Sequence, residues 1–281
     1  MTILTPARLA QLSSFPLLKN SWYFIAAATL SVCNQPKDVS LLVHYALREK
    51  QNELGGHDSD PVKSFEYAQS RINLIKRLNI EGDQSTIAKT KVENLYNIHE
   101  ETNFKSQFNI AQLSRESVLK SIALGGIPKA INTLMYLKTT TPTELHELKT
   151  KRNFDISNTQ FIRNRGQDFW NQVYGKVSTR IINQMETAYP DLWQYAKNHI
   201  YSPLLSYNDI LNAKETSFVI IACLVPQDVN PQLKGHLKGA LNNGATEEEV
   251  EQVRQLAILV SEWSGIKWTE EVAKLKPKSK L

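Results

Sequence analysis

The strongest constraint on the fold is a set of helix punctuation marks with helical apolar spacing between them. Thr246-Glu247-Glu248-Glu249 reads as a capping box, with Thr246 as N-cap and Glu249 reaching back to it. Val250, Val253, Leu256, Ala257 and Val260 then follow at the spacing of one helix face. Asn230-Pro231 opens another helix, and Gly244 closes it as a left-handed cap. Thr141-Pro142-Thr143-Glu144 is expected to be a further capping box with proline in the first turn. Tight hairpin signals flanked by alternating residues are missing. The chain is therefore read as all-α.

Composition narrows what such a protein does. Of the 281 residues, 41% are hydrophobic and 22% charged, which is enough apolar material for a core. The longest apolar stretch, Trp22 to Cys33, is shorter than the ~20 residues a bilayer span needs, so no stable membrane insertion is expected. Cys33 and Cys223 stand too far apart in sequence for a CxxC pair or a cysteine-rich zinc site, and both read as small buried hydrophobes. The histidines show no clustered ligand spacing, so no metal site is read. No dinucleotide or P-loop glycine motif is present, and no cofactor is called for. The net charge of +5 is concentrated at the ends: residues 1–37 and 266–281 carry +3 each, leaving −1 for residues 38–265. A nucleic-acid-binding face places its basic residues on the fold itself, so nucleic acid is not an expected partner.

Both ends read as addresses. Ser279-Lys280-Leu281, after Lys276-Pro277-Lys278, is the tripeptide that the peroxisomal import receptor reads at a free carboxyl terminus. Residues 1–19 hold Arg8, Lys19 and several hydroxyl residues, and the first acid is Asp38. They are read as a disordered leader or a weak transit peptide, the latter implying a mitochondrial destination as well. Pro6 and Pro16 interrupt any long amphipathic helix there.

An internal echo runs at an offset of 194: Ala26–Leu30 falls on Ile220–Leu224, and Ala46-Leu47 on Ala240-Leu241. Gly126-Ile127-Pro128-Lys129 also echoes Gly265-Ile266-Lys267. A duplicated helical unit is expected. It gives an N-terminal repeat at 20–138 with a polar insert at 48–112, a linker at 139–165, a C-terminal domain at 166–267 and a basic tail at 268–281. The insert is read as helices plus a long solvated connection.

The span Glu215–Gly265 runs Glu-Thr-Ser-Phe-Val-Ile-Ile-Ala, then Pro-Gln-Leu-Lys-Gly-His-Leu-Lys-Gly-Ala-Leu-Asn-Asn-Gly-Ala-Thr-Glu-Glu-Glu-Val, and closes on Ser264-Gly265. This order of apolar helix, His-bearing helix, Ala-Leu-x-x-Gly-x-Thr-x-x-Glu and apolar helix resembles the carboxymuconolactone decarboxylase family, which includes alkylhydroperoxidase D. The resemblance implies two tandem helical domains and a homo-oligomer. The peroxidase branch needs a Glu, a CxxC pair and a His. Here those positions fall on Ser217, Val229, Gln232 and His236, so thiol-based peroxide reduction lacks both thiols. The decarboxylase branch carries Arg before the Ser, where this chain has Thr216, with Lys214 and Glu215 upstream. In the first half the offset places Leu42 opposite His236, and His44 faces elsewhere, so that half is read as a structural partner.

His236 shares an apolar stripe with Leu233, Leu237, Ala240 and Leu241, and is expected to face inward beside Gln232. Two readings follow. In the first, the protein is a cofactor-free lyase or isomerase on a small carboxylated or lactone metabolite. His236 is then the general acid/base, Ser217 or Gln232 bonds the developing oxyanion, and Lys214 with Glu215 forms the substrate-binding group. In the alternative, it is a non-catalytic binding or assembly protein that has lost the family's activity.

Overall fold

The computed structural model describes residues 2–55, 60–81, 86–96, 98–153 and 155–275. Among these the chain is helical, without strands. Two helices form its centre. In α2 (Trp22–Val32) every residue is buried, and in α11 (Ala213–Leu224) every residue from Thr216 on is buried. A helix apolar on all sides has no face to give to water, so both go to the middle. They touch directly, and Thr29 Oγ1 donates across to Ala222 O at 3.2 Å.

The other helices wrap this pair in two matching sets. Around α2 lie α3 (Pro36–Gly55) and α6 (Glu101–Gly125); around α11 lie α12 (Asn230–Asn242) and α13 (Glu247–Trp263). The two central helices also exchange neighbours, α2 packing on α13 and α11 on α6. Asn34 and Asp228, 194 residues apart, both take φ 56 between the central helix and its successor. Asn and Asp tolerate this left-handed conformation better than most residues. Gly126 (φ 90) and Gly265 (φ 83) follow α6 and α13.

Three expectations are corrected. Residues 2–18 are folded onto the body. Thr5 caps α1 (Pro6–Ser13), Leu4, Leu9, Leu12 and Leu18 are buried, and Asp38 Oδ1 accepts from the backbone of Ile3 and Leu4 at 2.8 Å each. The described part of 48–112 is helical and partly buried, through the end of α3, α4 (Pro61–Glu81), α5 (Thr86–Tyr96) and the first half of α6. Its polar residues bond one another: Arg71 lies between the rings of Tyr67 and Tyr96 at 4.2 and 4.4 Å, and Gln107 donates to Asn103 at 3.1 Å. Thr141 is not an N-cap. It follows α7 (Ile127–Thr140), its hydroxyl donates back to Leu137 O, and only a short 3-10 turn at Thr143–Leu145 comes next. α7 runs to Thr140 and α8 (Thr159–Tyr174) begins at Thr159, so helix occupies both ends of the segment 139–165 read as a linker.

A buried charged cluster joins α6 to the C-terminal half. Lys120 Nζ donates to Leu205 O (3.1 Å), Tyr207 O (2.8 Å) and Thr216 Oγ1 (2.7 Å). One turn earlier, Glu116 receives both terminal nitrogens of Arg152. Burial pushes the Lys120 ammonium down to about 7. No helix among the described residues is long and apolar enough to cross a membrane.

Candidate functional site around His236

His236 is buried on α12 with Leu233, Leu237 and Ala240, while Lys234 and Lys238 are exposed, as the stripe predicts. The helix can approach α8 closely because residue 239 is glycine: a Cβ there would stand 2.7 Å from Val173 Cγ1. This close packing brings Tyr174 to the imidazole. Their rings meet edge to face at 5.6 Å, and Tyr174 Oη shares a hydrogen bond with His236 Nε2 at 3.2 Å. Tyr174 Oη also bonds Tyr201 Oη at 3.1 Å. Tyr201 comes from a π-helix (Ala196–Leu205) that continues α10 (Pro190–Tyr195), which an extended Tyr189 separates from α9 (Ser178–Ala188). Trp170 backs the chain of hydroxyls, 4.2 Å from Tyr174, 4.7 Å from Tyr201 and 4.6 Å from Trp193.

The electrostatic result follows from burial. The His236 imidazole is pushed down to about 4, and desolvation pushes the Tyr174 and Tyr201 hydroxyls up. At neutral pH the ring is neutral and lacks the proton a general acid must donate. His44 is a second buried histidine on the matching helix α3. It bonds Thr140 O at 2.8 Å and Tyr96 Oη at 3.3 Å, and burial pushes it down to about 3.

The other sequence-predicted residues do not gather around His236. Ser217 Oγ donates to Ala213 O (2.9 Å) and accepts from Asn243 Nδ2 (2.8 Å). Lys214 pairs with Glu249 at 2.9 Å, linking α11 to α13. Glu215 closes a capping box, accepting from Asn212 N at 2.9 Å while its own N–H donates to Asn212 Oδ1 at 3.0 Å. Gln232 is exposed, so the expectation that it faces inward is corrected: it lies in the first turn of α12, one turn before the buried imidazole. Ser279, Lys280 and Leu281 lie outside the described residues. No group of His, Cys, Asp and Glu among the described residues has the arrangement of a metal site.

Sequence reading missed Tyr174, Tyr201 and Trp170, which follow no motif. It also missed the Asn212-x-x-Glu215 box, which has the same pattern as the one it found at Thr246.

The model of the carboxymuconolactone decarboxylase family matches residues 191–275. Over 296 aligned positions the chain is 42% identical to Peroxisomal protein 2 of Saccharomyces cerevisiae, covering 97% of this chain and 99% of that one. The chain belongs to the carboxymuconolactone decarboxylase family. A second relative, Peroxisomal protein 2 of Schizosaccharomyces pombe, is 40% identical over 162 residues, 57% of this chain and 74% of that one. No solved structure matches. The family span holds His236 and Tyr201 but begins after α8, so Tyr174 and Trp170 are supplied from outside it.

Proposed function

We propose that this chain is a peroxisomal member of the carboxymuconolactone decarboxylase family that keeps the fold as a binding and assembly scaffold, without decarboxylase chemistry at His236. The observation that carries this reading is the closure of the imidazole. Its partner is a buried tyrosine in an aromatic wall, and each other residue named for catalysis or substrate binding is bonded elsewhere or exposed. The matching surroundings of α2 and α11 support a duplicated unit, with the first half as structural partner. Self-association belongs to the same reading.

The test is turnover of a panel of γ-lactones and β-keto acids by the full chain. We expect rates equal to those in buffer. Turnover by the wild-type chain that His236→Ala abolishes would restore the lyase reading, with the Tyr201–Tyr174–His236 chain as its proton path.

The location rests on the names of the two relatives. We propose Ser279-Lys280-Leu281 as the address, read by the import receptor when Leu281 carries the free carboxylate. In cells, an N-terminal fluorescent fusion is expected to concentrate in peroxisomes and to disperse when these three residues are deleted. Unchanged punctate signal after deletion would remove the tripeptide from this role.

A further inference from the structure

A groove distant in role from His236 runs on either side of Arg165 and Phe161, between α8, the end of the π-helix and the segment before α8. One lobe, of about 190 Å³, is lined by Lys151, Arg152, Phe161, Arg165, Tyr207 and Asp209 among others. The other, of about 320 Å³, adds Asn164, Asp168, Phe169 and Gln172 and shares Phe161 and Arg165. His236 lines neither lobe.

The π-helix sets the arginines. Its final turn and the residue after it offer three acceptors: Pro203 O takes Arg152 Nε at 3.1 Å, Ser202 O takes Arg165 Nη2 at 3.2 Å, and Ser206 Oγ takes Arg165 Nε at 3.0 Å. The Tyr207 ring lies 4.2 Å from the Arg152 guanidinium and 5.5 Å from that of Arg165. The two arginines then differ in charge balance. Glu116 neutralises Arg152. The hydrogen-bond acceptors of Arg165 are neutral ones, Nη1 has none among the described residues, and Asp209 acts on its charge without a direct hydrogen bond. Lys151 is exposed at the same lobe. Against these two cations stand Asp209 in the first lobe and Asp168 in the second, so the cations are balanced in number and a ligand is held by local contact with them. Phe161, 65% exposed, offers an uncovered ring beside them, 5.8 Å from the Arg165 guanidinium.

We infer that this groove binds a small monocarboxylate with an apolar or aromatic body, its carboxylate on Arg165 and Lys151 and its body against Phe161. A planar guanidinium with free N–H groups matches a carboxylate, and an adjacent aromatic ring rewards a flat apolar substituent. With Asp209 and Asp168 also lining the groove, a dianion meets more repulsion than a single carboxylate does, and inorganic phosphate has no apolar body to place on Phe161. The inference does not depend on the role of His236, so the failure of either leaves the other standing.

The test is isothermal titration calorimetry of the full chain with benzoate and hexanoate, beside benzamide and inorganic phosphate. Saturable benzoate binding with a dissociation constant on the order of 1 mM is expected, with none for benzamide. Arg165→Gln is expected to weaken it at least ~10-fold, the loss of a charged contact. Because Arg165 also braces the π-helix, Lys151→Gln and Phe161→Ser serve as surface variants, each expected to weaken binding ~3-fold or more without lowering the melting temperature. No benzoate binding to the wild-type chain at ~10 mM would overturn the inference. So would benzoate affinity unchanged in all three variants, or phosphate binding as tightly as benzoate and indifferent to Phe161→Ser.

Discussion

Glu116→Ala lowers the free energy of unfolding by about 3–5 kcal/mol, measured by urea denaturation at neutral pH. Glu116 is 4% exposed, Lys120 is 0% exposed and Arg152 is largely covered. The carboxylate accepts both terminal nitrogens of Arg152 and stands 4.0 Å from the Lys120 ammonium. Removing it leaves the guanidinium with only Pro203 O and the stacking on Tyr207. It also removes the carboxylate that opposes desolvation at Lys120, so the ammonium falls further below about 7. The cost comes from uncompensated buried charge, not from the intrinsic worth of the pair. Glu116→Gln keeps the shape and one acceptor, and should lose clearly less. A loss below ~1 kcal/mol for Glu116→Ala would mean the cluster is solvated as a surface pair is.

Trp170→Ala is the second large effect, again about 3–5 kcal/mol. The indole is 2% exposed, touches the rings of Tyr174, Tyr201 and Trp193, and donates from Nε1 to Ser178 Oγ at 3.0 Å. Its removal leaves a cavity lined partly by the two tyrosine hydroxyls. Water can occupy such a site when polar partners are at hand. The variant therefore has a second readout: His236 is expected to titrate closer to its ordinary value, because the hydroxyl chain that reaches it becomes wetted. A melting temperature unchanged from wild type would contradict the packing described.

The C-terminal helices were the most legible part of the sequence. At Thr246 and Asn230-Pro231 the local signals and the tertiary contacts agree: α13 begins at its capping box, and α12 begins at Asn230 with proline in its first turn and no side-chain cap. The central helices were legible as apolar segments, and the inward face of α12 as a stripe. Three things were hidden. Thr141 has the residues of a capping box, yet its hydroxyl returns to Leu137 and the next turn is too short to use it. The 48–112 segment looks solvated because some of its polar residues sit in the interior against rings and backbone carbonyls, as Arg71 does between two tyrosines and on Leu95 O. Residues 2–18 lack acids of their own but find one in Asp38, 34 residues beyond Leu4.

The candidate site was legible only at His236. Lys214, Glu215, Ser217 and Gln232 have the right chemistry for a site, but side-chain chemistry does not reveal which partner a residue already holds. For Lys214 that partner is a glutamate on another helix, and for Glu215 it is the helix cap. Tyr174 reaches His236 across 62 residues through the glycine-lined contact of α8 with α12, a packing event that no local spacing encodes.

The most direct measurement is an NMR pH titration of His236, with histidine labelling and a His236→Asn variant to assign its resonance. Its folded value of about 4 lies below the ordinary ~6.5, so the unfolded chain takes up the proton first. The stability this ring contributes is therefore full above pH ~6.5 and is lost as pH falls toward ~4. We expect the imidazole to stay neutral down to about pH 5 and to titrate only near 4, as a ring enclosed by Tyr174 must. Titration near 6.5 would mean that water reaches the ring, and the closed, non-catalytic reading of His236 would fail.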